Sequence, residues 1–351
     1  VDKKRIITVS DAINEATILA MKKDKSVYVI GEGVNDPKEI FGTTKNLKKI
    51  FNNKRVIETP VSENAMTGMC IGSAMMGLKP IQIHQRVDFA LLALEQIANN
   101  CAKAYFVSNS SHTVPMVIRM IIGRGWGQGP MHSQIFDSLF AQIPGLKVLM
   151  PTFPDDYKGM MLSAIKDPNP VIILEHRWLH NIKGNVKKKY YEKNINNIYK
   201  IKNGKDLTIV ANGYNLLEVI EVSKILKNEN ISFDLFDLNV IQPLKTDKII
   251  KSVKKTGRII VLDSGFKNLG IGSEIISRVS ENCINKLKKA PVRIGLPFIP
   301  TPSSRFLAKS YYPTKYKILC AVLDILNKNK NKVKLAKLTK SNVPVDVPDL
   351  N

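Results

Sequence analysis

A chain of 351 residues, 44% hydrophobic and 24% charged, is long enough for two domains that each bury a core. It has no apolar run near the roughly 18 to 20 residues a membrane span needs, so no membrane partner is expected. The formal charge of +23 would attract phosphate backbones, yet lysine far outnumbers arginine and travels with asparagine and isoleucine throughout the chain. That is a solvated background rather than a binding patch, because base readout favours the planar arginine fork, and nucleic acid is set aside as a partner.

The first residues lead into a strand-and-helix pattern without the apolar core and cleavage site of a secretory signal, which makes a cytoplasmic protein the expectation. Ile6 to Val9 predicts a short strand, and Ser10 caps a helix running to about Met21. Further strands are predicted at Ser26 to Ile30, Val56-Ile57, Lys79 to Ile83, Val114 to Met120, Lys147 to Met150 and Pro170 to Leu174. Helices fall between them over Glu63 to Met76, Leu91 to Val107 and Asp155 to Lys166. Strands alternating with helices imply an α/β fold with a mostly parallel sheet covered on both faces.

From about Asn181 to Lys205 the apolar periodicity fails, which predicts a linker between a first domain, 1–180, and a second, 206–327. The second and smaller α/β rhythm runs through Leu207 to Ala211, a helix from Tyr214 to Lys227, Ile231 to Leu235, Arg258 to Leu262 and a helix from Ser273. Residues 328–351 form a Lys/Asn-rich tail, frayed or bound to a partner. Cys70, Cys101, Cys283 and Cys320 show no CxxC spacing and read as small buried apolar groups in a reducing compartment.

Three places could carry chemistry. Thr59-Pro60-Val61-Ser62-Glu63, followed by Gly68, Gly72 and Gly77, places a carboxylate at the mouth of a closely packing helix, with Ser62 as its cap; by spacing alone Glu63 reads first as a first-turn acid favoured by the helix dipole. The glycine-rich loop from Gly123 to Gly129 leads to His132 and Gln134 on the C-terminal side of a strand, where open α/β sheets place ligands, yet its alternate glycines are not a dinucleotide fingerprint. Glu175-His176 and His180 have metal-like spacing but follow a strand, so a shared face is not assured, and Gly270-Ile271-Gly272 is a loop-to-helix turn of the kind that can hold phosphate.

Taken together, Glu58 to Glu63, the ladder to Ile81, Asp88-Phe89, His132-Ser133-Gln134, Pro144 to Val148 and Lys166 to Val171 resemble the beta subunit of the thiamine-diphosphate-dependent decarboxylase component of 2-oxo acid dehydrogenases, within the transketolase-like superfamily. The resemblance covers about residues 6 to 326 and implies a pyrimidine-binding domain followed by a transketolase C-terminal-type domain. It implies that Glu63 hydrogen-bonds the ring nitrogen of the aminopyrimidine, that Phe89 packs on that ring beside Val61 and Gln85, and that His132 orients or protonates intermediates and assists acyl transfer to a lipoyl-bearing acyltransferase. Some members hold potassium, and Met116, Ala164, Ile165, Asp167 and Asn169 match those positions. The chain contains no GDG followed by paired asparagines, the pattern with which the alpha subunit holds magnesium and diphosphate, so the resemblance implies an alpha partner in an α2β2 assembly.

His84-Gln85-Arg86 and Arg124-Gly125-Trp126 depart from pyruvate-type members, where small or apolar residues are common. Arg86 or His84 is expected to meet a polar or anionic substituent of the substrate, or else a structural partner such as Asp88 or Glu95. Two rival readings are the C-terminal half of a split transketolase and a non-catalytic scaffold subunit.

Overall fold

The computed structural model describes residues 5–125 and 127–329; the tail beyond, and Trp126 in the glycine-rich loop, lie outside the described residues. The strands in chain order are β1 (Ile6–Thr8), β2 (Val27–Gly31), β3 (Val56–Glu58), β4 (Lys79–His84), β5 (Val117–Ile122), β6 (Lys147–Leu149) and β7 (Val171–His176). They continue with β8 (Lys183–Asn185), β9 (Tyr199–Lys202), β10 (Leu207–Ala211), β11 (Phe233–Asp237), β12 (Val240–Gln242), β13 (Ile259–Phe266) and β14 (Val292–Leu296).

Seven strands form one sheet in the order β12-β6-β7-β5-β4-β2-β3, parallel except at the β12 edge. Its central strands, Val117 to Ile122 and Val171 to His176, are buried along their whole length, as parallel strands covered on both faces must be. A second sheet runs β14-β13-β10-β11-β9, with β9 as its antiparallel edge. The strand β12 follows β11 in sequence yet pairs with β6, so the second domain lends an edge to the first sheet, and the Met150 amide donates to the Asn239 carbonyl at 2.9 Å beside it.

Several expectations change. The first helix, Val9–Lys23, is capped by Thr8 in a reciprocal box with Asp11, because Ser10 already lies inside it and its hydroxyl bonds the His180 carbonyl. Ser62 is the N-cap of the Glu63–Met75 helix but makes no capping hydrogen bond. The expected Leu91 to Val107 helix is divided into a 3₁₀ turn, Leu91–Ala93, a π-helical stretch, Gln96–Cys101, and a short α-helix, Ala104–Val107. Within the 181–205 stretch two strands form: β8 pairs with β1, and β9 closes the edge of the second sheet. Both are too short and too exposed to leave an apolar period in the sequence.

The segment between β8 and β9 is held to the first domain by a buried cation. Lys158, on the Pro154–Lys166 helix, is fully enclosed, and its Nζ donates to Glu15 Oε1 (2.7 Å) and to the carbonyls of Lys187 (2.5 Å), Lys188 (3.0 Å) and Lys189 (3.0 Å). Cys70, Cys101 and Cys283 are buried free thiols, as expected, while Cys320 is half-buried.

Candidate active site

The parallel strands β2, β4, β5 and β7 end on one rim of the first sheet, and the side chains that follow them converge there. Glu63 opens its helix on this rim, only 5% exposed, and its carboxylate takes no hydrogen bond from another described residue. Beside it, Glu32 follows β2. Burial, then the charge of Glu63, raises the Glu32 carboxyl above its ordinary range, against the pull of the Ser62 amide and with a smaller push from Glu58. Glu58 is tied down by the amides of Gly33 (2.5 Å) and Asn35 (2.8 Å).

The Glu32 carbonyl accepts from Gln85 Nε2 at 3.1 Å, which joins the Glu63 side of the rim to the segment after β4. Gly33, at φ +71°, makes this possible, since a Cβ there would collide with the Gln85 amide. Three residues on, Asp88 accepts from Gln134 Nε2 at 2.9 Å, and the rings of Phe89 and His132 meet edge to face with centroids 5.2 Å apart. Glu63, Gln85, Phe89 and His132 are thus brought to one rim through Glu32, on which sequence reasoning placed no weight, and Asp88, expected there only as part of the Asp88-Phe89 pair or as a partner of Arg86. Val61 stands 78% exposed at the same helix mouth.

The basic departures also find partners within the protein. Arg86 is buried and donates to the Gly123 carbonyl (3.0 Å) and Gln128 Oε1 (2.5 Å), while Asp88 is engaged by Gln134 and Glu95 by Asn100. His84 is buried, and desolvation pushes its imidazole down to about 4, so at neutral pH it is an uncharged ring. Arg124 is fully buried and donates from one nitrogen to the carbonyls of Pro302 (2.7 Å) and Ser303 (3.0 Å) in the second domain. Arg177 lies over the Phe41 ring at 4.2 Å.

Glu175, His176 and His180 do not converge as metal ligands, and no group of three His, Cys, Asp or Glu side chains suited to a metal occurs among the described residues. Glu175 is instead gripped by a two-nitrogen fork from Arg119, both fully buried, with His180 Nε2 3.5 Å from its second oxygen. Burial alone would raise Glu175, but the Arg119 charge and the His180 contact bring it down to about 2. A single arginine inside the apolar run of β5 was the available signal for this pair.

The loop-to-helix turn at Gly270 is filled by the protein itself: Asp263 accepts from the amides of Gly265 (3.0 Å) and Gly272 (2.9 Å), where a phosphate would sit. Burial, and then the neighbouring Asp263, raises Asp137 well above the carboxylate range, and burial also raises Asp263. At the opposite rim, where β5 and β7 begin, lie Met116 before β5 and Ala164, Asp167 and Asn169 before β7. The Met116 carbonyl accepts from Val171 N (3.0 Å), the Ala164 carbonyl from Asp167 N (3.2 Å), and the Asp167 carboxylate from Asn169 N (3.0 Å) and Lys147.

Comparison with known proteins matches residues 5–182 to the transketolase pyrimidine-binding domain and residues 197–318 to the transketolase C-terminal domain. Among curated proteins, the chain is 36% identical to the pyruvate dehydrogenase E1 component subunit beta of Porphyra purpurea, over 91% of this chain and 97% of that one. It is 38% identical to the corresponding subunit of Acholeplasma laidlawii, over 86% and 92%. It is also 34% identical to the acetoin:2,6-dichlorophenolindophenol oxidoreductase subunit beta of Bacillus subtilis, over 92% and 98%. Among solved structures, a split-gene transketolase described as an inactive beta4 tetramer superposes with a TM-score of 0.74 at 20% identity, over 92% of this chain and 98% of that one, which shows the shared fold.

Proposed function

This chain belongs to the transketolase-like family of pyruvate and acetoin dehydrogenase beta subunits, and we propose that it is the beta subunit of a thiamine-diphosphate-dependent 2-oxo acid dehydrogenase. In this reading it takes part in decarboxylating a 2-oxo acid and in passing the acyl group to a lipoyl-bearing acyltransferase. The observation that carries the reading is the enclosed Glu63 carboxylate, open to a ligand and sharing one rim with Gln85, Phe89 and His132.

These residues fit the aminopyrimidine half of the coenzyme. An enclosed carboxylate with no protein donor suits a ring nitrogen that can share a proton, and the Phe89 ring supplies an apolar wall. When bound, thiamine diphosphate supplies the carbanion stabilisation that decarboxylation demands. Glu63 holds the proton at the pyrimidine, Gln85 fixes the turn that sets Glu32 behind it, and Phe89 keeps the His132 ring upright for proton transfer to or from the reacting carbon.

An alpha subunit completes the site in an α2β2 assembly and brings the magnesium and diphosphate contacts. The exposed apolar side chains of Val61, Met69, Met76, Leu92 and Phe106, the last 87% exposed, support coverage by another chain, and a Cβ at Gly72 would meet nothing within 4 Å. Potassium would be held mostly through main-chain oxygens of Met116, Ala164, Ile165, Asp167 and Asn169, as is usual for such ligands. No helix among the described residues is long and apolar enough to cross a membrane.

Co-expression with candidate alpha subunits, followed by thiamine-diphosphate-dependent decarboxylation across a panel of 2-oxo acids with an artificial electron acceptor, tests the reading. Turnover is expected in the assembled wild type. Glu63→Ala should assemble and lose about 100- to 10,000-fold in rate. Ketol transfer between sugars without oxo-acid turnover would make the chain half of a transketolase, and indifference to Glu63→Ala would make it a scaffold.

A further inference from the structure

The segment that carries His132 is fastened to the second domain. Arg124, fully buried at the start of the loop, reaches out of the first domain to the carbonyls of Pro302 (2.7 Å) and Ser303 (3.0 Å). The following residues lie against the same place: a Cβ on Gly127 would sit 3.1 Å from the Ser303 carbonyl oxygen, and one on Gly129 would strike the Ser303 hydroxyl. Gly129, at φ +78°, then opens the 3₁₀ turn Pro130–His132, so the Ser303 contact lies directly beneath the turn that sets the imidazole. From the first domain, Arg86 grips the other side of this loop through Gly123 and Gln128, and the Gly123 amide donates to the Gln134 carbonyl at 2.9 Å.

We propose that Arg124 is a positioning residue for His132, and that its clasp on Pro302 and Ser303 makes the second domain a working part of the active centre. A loop of glycines has many conformations to lose, and without a fixed anchor the imidazole would sample positions away from the reacting carbon. One buried guanidinium nitrogen shared between two carbonyls, with glycines closing on the same residue, selects one of them. The Phe89 edge contact then orients the ring, while the clasp fixes the backbone that bears it. This inference rests on the proposed role of His132, and its test separates the two.

Hydrogen–deuterium exchange measured by mass spectrometry on the full chain in its alpha–beta complex reads the clasp without any turnover. Arg124→Gln should speed exchange in peptides covering 127–134 and 301–304, with the rest of the protein unchanged. It should lower kcat about 100-fold with little change in KM. Arg124→Lys, which returns one cationic donor, should recover part of both effects. Gly127→Ala, which crowds Ser303 without removing a charge, should reproduce the pattern if Arg124→Gln does not fold. Unchanged exchange in those peptides overturns the clasp, and faster exchange with wild-type kcat overturns its role in positioning. A wild-type complex without decarboxylase activity would fell the functional reading alone, leaving the exchange data to decide the clasp.

Discussion

Phe89 and His132 stand perpendicular, ring centroids 5.2 Å apart, so that the edge of one ring meets the face of the other at the mouth of the site. Such a pair contributes about 0.5–1.5 kcal/mol beyond its buried area. Phe89→Leu preserves most of the apolar wall and removes the ring contact. Melting should report a loss of about 1 kcal/mol. Turnover of the assembled enzyme should fall by about tenfold or more, because a brace lost in the transition state adds to the barrier at about 1.4 kcal/mol per decade. Equal turnover in the two proteins would show that the imidazole needs no such brace.

Of the five histidines, three are predicted to be silent. Desolvation pushes His84 down to about 4 and His176 to about 3, and His180, where burial outweighs the contact with Glu175, down to about 4. Their folded values lie below the ordinary 6.5, so the unfolded chain takes up protons first. The stability they contribute is present above pH 6.5 and is lost as pH falls towards those values. Carbon-13 labelling of histidine should show three ring signals fixed between about pH 5.5 and 8. Movement of the His180 signal in that window would mean that the Arg119–Glu175 fork is not closed in solution.

How much of this was readable beforehand depends on how local each feature is. Glu63, Phe89 and His132 each sit in a short run whose order survives in the sequence, and all three reach the same rim. Asp88 came with Phe89 in the same short run, but Glu32 joins them, and Asp88 meets Gln134, only because β2, β4 and β5 are neighbours in the sheet, an adjacency that no local pattern carries. The strands β8 and β9 were read as part of a linker because three or four residues at an exposed edge have no period to detect. The Gly270 turn looked open to phosphate since Asp263, which fills it, comes from a strand that ends before the turn begins. For Arg86 the sequence offered Asp88 or Glu95 as acceptors within the chain, whereas its guanidinium also donates to a main-chain carbonyl and to Gln128, neither of which charge pattern can point to.

Asp137 and Asp263 bring two buried carboxyls together where the Asp137–Ala141 helix meets β13, and both hold their protons above the ordinary 3.8. A carboxyl raised in the folded state keeps a proton that the unfolded chain has given up. Its stabilisation is therefore complete below about pH 3.8 and drains away as pH rises through the folded value. Asp137→Asn keeps the shape and carries no charge to repel. It should melt higher than wild type at pH 8, by about 2–4 °C for each kcal/mol regained, and the gap should narrow at pH 5. Calorimetry at the two pH values checks this, and a gap that widens on acidification would place the shared proton elsewhere.

Lys158 tests whether the path between the domains is held by one ammonium. Its four acceptors are Glu15 and the carbonyls of three consecutive exposed lysines, so removing the cation takes this donor from all three carbonyls. Glu15 keeps a second partner in Arg5, at 2.7 Å, and is not left uncompensated. Lys158→Met matches the length of the stem and should cost about 1.5–3 kcal/mol, the scale of hydrogen bonds made by a charged donor. The damage should be local before it is global. Limited proteolysis should cut the variant within residues 186–193 at a temperature where both domains still give native circular dichroism. Global melting without that early cut would mean that the ammonium supports the core of the first domain and not the connection, and Lys158→Arg, too large for the enclosed site, would then fail in the same way.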